Sequence, residues 1–402
     1  MARKWVSIGS FRLEEEEKKA IESVLLSGRI SEWKRTREFE RKWADYIGTR
    51  YAVAVNSGTS ALIVSLLALK HDERFPKMKD GAKIITTPVT FIATVNSIIL
   101  AGYEPVFVDI DRTTFGMDPA HVGELLSSAD PDEFGAILPV HLMGYPVDVE
   151  ALDAIAKKHG LVLIEDSAQA HGTYLTNGGR AGSFGTISAF SFYIAHNIQV
   201  GEMGAVNTSD EKLAGAMRML KAHGRLCSCP VCVRREGKCP YADKPIEPRF
   251  THSLVGYNFK TMDLQAALAL CQLKRADTIV ETRQRNVRYL NEHLSRFESL
   301  FHLPRFSEDV SYLAYPLVVR KDSSLDRETV TNLLEREGVE TRPMFGCLPT
   351  QQPVFSHLAD AYRGRLPSAE FIGRNAFYIG CHQYLTEEDL AHIVAVFERL
   401  FS

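Results

Sequence analysis

The chain has 402 residues, 45% of them hydrophobic, enough to bury a substantial core and to divide into two domains. Its 47 basic residues against 50 acidic ones give no broad field toward nucleic acid or a membrane surface, so any anion site has to be local. No apolar run reaches the roughly 20 residues that cross a bilayer, and "MARKWVSIGSFRLEEEE" holds no stretch of signal-peptide length, so the expectation is a cytosolic protein with small-molecule partners.

In chain order, "REFERKWADYIG" is the first clear helix, with Phe39, Trp43, Tyr46 and Ile47 on one face and Gly48 as its stop. "YAVAV" then reads as a buried strand. The stretch "VNSGTSALIVSLLALK" predicts a turn at Asn56 to Thr59 and a second helix. Candidate strands "KIITTP", "EPVFVDI", "GAILPVHLMG" and "LVLIEDSA" follow, separated by helical stretches "FIATVNSIILAG", "DPAHVGELLSSA" and "DVEALDAIAKKHG". Short apolar runs alternating with helices predict an α/β fold with a mainly parallel sheet covered on both faces, and ligands at the carboxyl ends of the strands. From Met262 to about Phe297 the pattern predicts one long helix. Beyond it "AYPLVVR", "DRETVTNLLEREG", "VETRPMF" and "TEEDLAHIVAVFERLF" make a smaller α+β domain. The expected division is residues 1–275, a large domain with a cysteine-rich insertion at about 225–245, and residues 276–402, a small C-terminal domain.

Three features carry chemistry on residue type alone. The turn at Asn56 to Thr59 opens a helix whose free N–H groups suit a phosphate, although a capped core helix has the same appearance. Glu165 and Asp166 end a strand where an α/β sheet binds ligands, and a carboxylate there can pair with a protonated ring nitrogen or simply cap a helix. Phe91 in "TFIAT" suits a flat ring or the core equally.

In sequence order, "EFERKWADYIG", "AVNSGTSAL", "TFIATVNSI", "PVFVDID", "HLMGYPVDVEAL", "EDSAQAHG", "GSFGTISAFSF" and "GYNFKTMDLQAALALCQL" resemble the DegT/DnrJ/EryC1/StrS family over nearly the whole chain. The resemblance implies a fold-type I, aspartate aminotransferase-like large domain that binds pyridoxal phosphate or pyridoxamine phosphate. It further implies Gly58, Thr59 and Ser191 at the cofactor phosphate, Phe91 on the ring, Asp166 at the pyridine nitrogen and Gln169 near the ring hydroxyl. Asn258 would reach the phosphate from a second subunit, which makes the expected enzyme a homodimer.

In the aminotransferases of this family the position five residues after Ser191 is the Schiff-base lysine; here it is His196, and no lysine stands between Lys158 and Lys212. Imidazole cannot form the internal aldimine, so ordinary transamination is not expected. It can move protons near neutral pH. The exchange resembles the family's 3-dehydratase branch, that of CDP-4-keto-6-deoxyglucose-3-dehydrase. This implies that pyridoxamine phosphate condenses with a nucleotide-linked 4-keto-6-deoxyhexose, and that His196 as base drives loss of the 3-hydroxyl through a ketimine.

Cys227, Cys229, Cys232 and Cys239 in "CSCPVCVRREGKC" have a spacing that converges on one metal if the loop folds around it. The resemblance favours an iron–sulfur cluster, 2Fe–2S or 4Fe–4S, fed by a separate reductase, with Cys232 replacing an upstream ligand that the relatives have. Zinc is the alternative, in a redox-neutral, glutamate-coupled dehydratase. A non-catalytic sugar-nucleotide-binding protein is a third reading. Met203, where the family's turn usually has glycine, is expected to reshape the substrate side. Glu202 is given no role, and His141 and His171 are expected to be hydrogen-bonded structural histidines.

Overall fold

Short strands, most of them buried along their whole length, build the frame of the molecule, a computed structural model that describes residues 4–227, 229 and 232–402. Strands β1 (Tyr51–Val55), β2 (Lys83–Thr86), β3 (Glu104–Phe107), β4 (Phe134–Leu138), β5 (Val162–Asp166), β6 (Ile187–Ser191) and β7 (Gly204–Thr208) form one sheet in the order β1-β7-β6-β5-β4-β2-β3. Neighbours among β2 to β6 run parallel, whereas β7 is antiparallel to both β1 and β6. This is the mainly parallel α/β sheet that the sequence predicts.

Alternation assigns side chains to the two faces. Val53, Val55, Val162, Ile164, Ile187 and Ala189 pack with the apolar helix Gly58–Lys70, while Ala52, Ala54 and Phe190 meet Phe39 and Trp43 on the other side. The covering helices are α1 (Glu15–Leu26), α2 (Lys34–Ile47), α3 (Gly58–Lys70), α4 (Ala93–Leu100), α5 (Pro119–Ser128), α6 (Val149–His159) and α7 (Glu211–Leu220). Residues Ser60 to Leu69 of α3 are all buried, as expected for a helix apolar on every side.

The long helix expected from Met262 to about Phe297 is instead two, α8 (Asp263–Leu273) and α9 (Ala276–Leu294), broken at Lys274 and Arg275. The two halves serve different partners. Ala266, Ala269 and Leu270 of α8 pack with α2, while Val287, Leu290 and Leu294 of α9 join the core of a second sheet. That sheet is antiparallel and comprises β8 (Phe301–His302), β9 (Tyr315–Val319), β10 (Arg342–Pro343) and β11 (Ala376–Ile379) in the order β10-β11-β9-β8. Arg275 pairs with Glu14 and Glu17 beside α1, which fixes the bend. Among the described residues no helix is long and apolar enough to cross a membrane.

Trp43, fully buried, packs its ring 5.0 Å from Phe190, 4.9 Å from Phe192 and 5.4 Å from His171, so it supports the strand end and loop that reach the site. Trp43→Ala is expected to lower stability by about 3–5 kcal/mol, read from denaturant unfolding. A loss below about 1 kcal/mol would count against this support.

Candidate active site

At the carboxyl edge of the sheet, the ends of β1, β5 and β6 and the head of α4 open on a cavity of about 380 Å³. Clefts of about 810 and 560 Å³ lie elsewhere, at the edge strand β3 and beside β8, and hold none of the expected site residues.

Ser57 caps α3 by accepting the Ser60 N–H at 3.1 Å, which leaves the Gly58 and Thr59 amides open at the helix head. Glycine is required at two places here. A Cβ on Gly58 would stand 2.6 Å from Ser191 Cβ, and one on Gly204 would stand 2.2 Å from the Ser57 carbonyl oxygen. The helix head and Ser191 therefore meet in one small cradle, a ready site for a phosphate.

Asp166 is buried, its Oδ2 accepting from Thr94 Oγ1 at 2.8 Å and its Oδ1 from the Ala168 N–H at 3.2 Å. Thr94 gives its proton to Asp166, so Thr90 Oγ1, 2.8 Å away, donates to Thr94. Burial pushes the Asp166 carboxyl up, against the pull of those donors, as expected for a carboxylate without a cationic partner. Gln169 accepts the Met143 N–H through Oε1 at 2.9 Å, which leaves its Nε2 as the open donor. Phe91 is 55% exposed and stands edge-on to Phe345 at 5.8 Å between ring centroids. The cradle, the cation-deficient carboxylate and the open aromatic face fit the anionic, cationic and flat parts of a pyridoxal or pyridoxamine phosphate.

His196 lies in the turn between β6 and β7 and lines the cavity with part of its surface open. Burial on its other sides pulls its pKa down to about 4, with Arg283 adding to the effect; the nearby Tyr193 carbonyl favours the charged ring, although Nδ1 makes no hydrogen bond. Among the described residues the cavity lining contains no lysine.

Sequence reasoning overlooked Thr90 and Thr94, whose i, i+4 spacing at the start of α4 was the available signal, and Phe345 and Tyr378, which come from the small sheet region. Glu202 does line the cavity, and its carbonyl accepts from Gln265 Nε2. Met203 does not reshape the substrate side: it is fully buried in the apolar cluster around Trp43. Asn258 is exposed and lies outside its own chain's cavity.

His141 and Glu165 are structural. His141 Nδ1 accepts the Val147 N–H at 3.2 Å, so Nε2 carries the proton and donates to Glu165 Oε2 at 2.9 Å. Glu165 also takes the amides of Gly182, Phe184 and Gly185 at 2.9, 2.9 and 2.6 Å, which holds the loop after β5 to the sheet.

The four clustered cysteines line one pocket with Glu247 and Arg249. The Cys229 thiol is pushed up by burial and then by the nearby thiols of Cys227, Cys239 and Cys232. Crowded sulfurs of this kind are the donor chemistry of a soft metal. Among the described residues, however, no three His, Cys, Asp or Glu side chains are arranged to hold a metal ion.

Residues 12–398 match the DegT/DnrJ/EryC1/StrS aminotransferase family. The lipopolysaccharide biosynthesis protein RfbH of Salmonella typhimurium is 32% identical over 405 residues, covering 98% of this chain and 90% of that protein. The dTDP-4-dehydro-2,6-dideoxy-D-glucose 3-dehydratase of Saccharopolyspora spinosa is 32% identical over 392 residues, covering 95% and 83%. A solved histidine-to-asparagine variant of GDP-4-keto-6-deoxymannose-3-dehydratase with bound GDP-perosamine superposes at a TM-score of 0.86 and 25% identity, covering 97% of this chain and 99% of that one. A structure of that dehydratase with a trapped PLP-glutamate geminal diamine superposes at 0.84 and 25%, with the same coverage.

Burial raises the Glu165 pKa, but the His141 hydrogen bond and the loop amides outweigh it and hold the folded value below that of an ordinary glutamate. A depressed acid contributes stability above its unfolded pKa of about 4.3 and loses it as pH falls through the folded value. Glu165→Gln is therefore expected to lower Tm at neutral pH, with the gap to the native chain narrowing below about pH 4. A gap that stays constant across that range would remove the carboxylate from this role.

Proposed function

The chain belongs to the DegT/DnrJ/EryC1/StrS aminotransferase family, and from that premise we propose that it removes the 3-hydroxyl of a nucleotide-linked 4-keto-6-deoxyhexose in deoxysugar biosynthesis. The observation that carries the reading is the lining of the cofactor cavity, which has His196 and no lysine among the described residues. The 3-dehydratase relatives support it.

When bound, pyridoxamine phosphate supplies an amine that condenses with the 4-keto group and a ring that takes up the electrons left when a methylene proton departs. The chain's residues do the rest. Gly58, Thr59 and Ser191 hold the phosphate, and Asp166, backed by Thr94 and Thr90, holds the ring nitrogen. Gln169 Nε2 donates to the ring hydroxyl, and Phe91 covers one ring face. His196 is neutral at physiological pH, since its pKa is drawn down to about 4, and so it is able to take the methylene proton at the ring nitrogen open to the cavity. Asn258 of a second copy completes the phosphate site in a homodimer, in keeping with its exposure.

Incubation with pyridoxamine phosphate and a nucleotide-linked 4-keto-6-deoxyhexose is expected to yield a product that has lost the 3-hydroxyl. His196→Asn is expected to slow that loss by about 10²–10⁴-fold while cofactor binding persists. A native chain that delivers a 4-amino sugar with its 3-hydroxyl intact would refute the assignment.

For the cysteines we propose an iron–sulfur centre on Cys227, Cys229, Cys232 and Cys239, with a separate reductase as its electron source. A glutamate-coupled, redox-neutral cycle with structural zinc on the same cysteines is the second reading, favoured by the glutamate adduct in the neighbouring dehydratase. Anaerobically purified protein is expected to contain iron and acid-labile sulfide and to absorb broadly in the visible. Zinc alone, or no metal, would transfer the assignment to the glutamate-coupled cycle.

A further inference from the structure

Behind His196 the protein buries several polar atoms with no partner. His171 is 1% exposed, and its ring centroid lies 6.1 Å from that of His196 with the planes inclined by 29°. No direct hydrogen bond joins the two rings. His171 Nδ1 accepts the Ile198 N–H at 3.3 Å, so the neutral ring carries its proton on Nε2; that nitrogen is buried and makes no hydrogen bond, although the Ser191 carbonyl lies near enough to the ring to favour its charged form. His196 Nδ1 is in the same condition.

Asn197 and Gln199, 2% and 1% exposed, add two more. Their amide nitrogens donate to the carbonyls of Ser311 at 2.9 Å and Ile194 at 2.6 Å, which leaves Asn197 Oδ1 and Gln199 Oε1 as buried acceptors without donors. All four atoms come from His171 and from the short 196–199 turn that is fastened to it through Ile198. Four buried polar atoms left unpaired on His171 and on the turn bonded to it are costly, and the ordinary remedy is an ordered water.

A water molecule offers two protons and two lone pairs. Asn197 Oδ1 and Gln199 Oε1 require both protons, and His171 Nε2–H takes one lone pair. The remaining lone pair can serve only a donor, so His196 Nδ1 has to carry a proton. With Nδ1 bare, three acceptors would compete for two protons. Arg283 donates to the carbonyls of Tyr312 and Leu313 and lies close enough to both imidazoles to disfavour a charge on either.

We propose that a buried water held by His171, Asn197 and Gln199 locks His196 in the Nδ1–H tautomer, which makes His171 a positioning residue for the base. The inference rests on the reading of His196 as that base. Its consequence is direct: Nε2 of a residue that lines the cavity is left bare, the form that accepts a proton.

Long-range proton–nitrogen NMR spectra of the cofactor-free chain report the tautomer without any turnover. The expected result is a His196 ring protonated at Nδ1 and bare at Nε2 at neutral pH. A ring protonated at Nε2 in the native chain overturns the proposal with no variant needed. His171→Phe keeps a buried ring but removes the donor, and is expected to release His196 into a mixture of tautomers. His171→Gln returns a donor and is expected to restore the Nδ1–H form. A His171→Phe chain in which His196 keeps its native tautomer overturns the role of His171. Failure to dehydrate the sugar alongside the expected tautomer would defeat the functional reading and leave the positioning role standing.

Discussion

The close approach between the head of α3 and the adjacent strands β6 and β7 is the contact on which the site depends. Hydrogen is the only substituent that fits at Gly58 and Gly204, because a Cβ at either would enter Ser191 or the Ser57 carbonyl. That approach sets open helix amides beside a strand-end hydroxyl. The same approach limits where the chain can go after Ser191. Because β7 runs antiparallel to β6, the connection turns back at the carboxyl edge instead of crossing over the sheet, and His196 is held in that turn. Trp43, Phe190 and Phe192 fill the space behind it.

Much of this was legible in the sequence because period and order report on it directly. Apolar runs at 51–55 and 162–166, and the order of Gly58, Asp166, Ser191 and His196 along the chain, foretold the sheet edge and the residues that line its cavity. What was not legible came from distant partners. Leu273, Lys274, Arg275 and Ala276 favour helix locally, yet the helix breaks there because α8 packs on α1 and α2 while α9 serves the second sheet. Phe345 and Tyr378 reach the cavity from more than a hundred residues beyond His196, with no local pattern to announce them. Met203 misled for a related reason: a residue in a glycine-rich turn was read as facing substrate, but the turn is buried against Trp43.

The cysteine loop shows a different limit. Residue type and spacing reveal donors, whereas the arrangement depends on how a long loop closes. Its stem is pinned by pairing of Ala222 with Asn258 and of Arg225 with His252. One residue further, the Phe259 carbonyl accepts the Asn56 N–H at 2.9 Å, immediately before the turn at Gly58. The thiols are therefore fastened through a short run of backbone to the phosphate cradle. A rearrangement that drew the four sulfurs together would act on a stem tied to that cradle.

Charge balance explains why the cavity suits a ligand with opposite charges at its two ends. Burial raises Asp166 and lowers His171 and His196, so the protein suppresses anions and cations alike in this region. Arg283 is engaged with the Tyr312 and Leu313 carbonyls and with Gln383 Oε1, and Glu165 with His141 and the loop that it anchors, so neither restores the balance. A phosphate on the amides of Gly58 and Thr59, joined by a flat ring to a protonated nitrogen at Asp166, would supply each charge where the protein lacks it. Such a ligand, held at both ends without a lysine, would leave the imidazole beside it free to exchange a proton with whatever the ring carries.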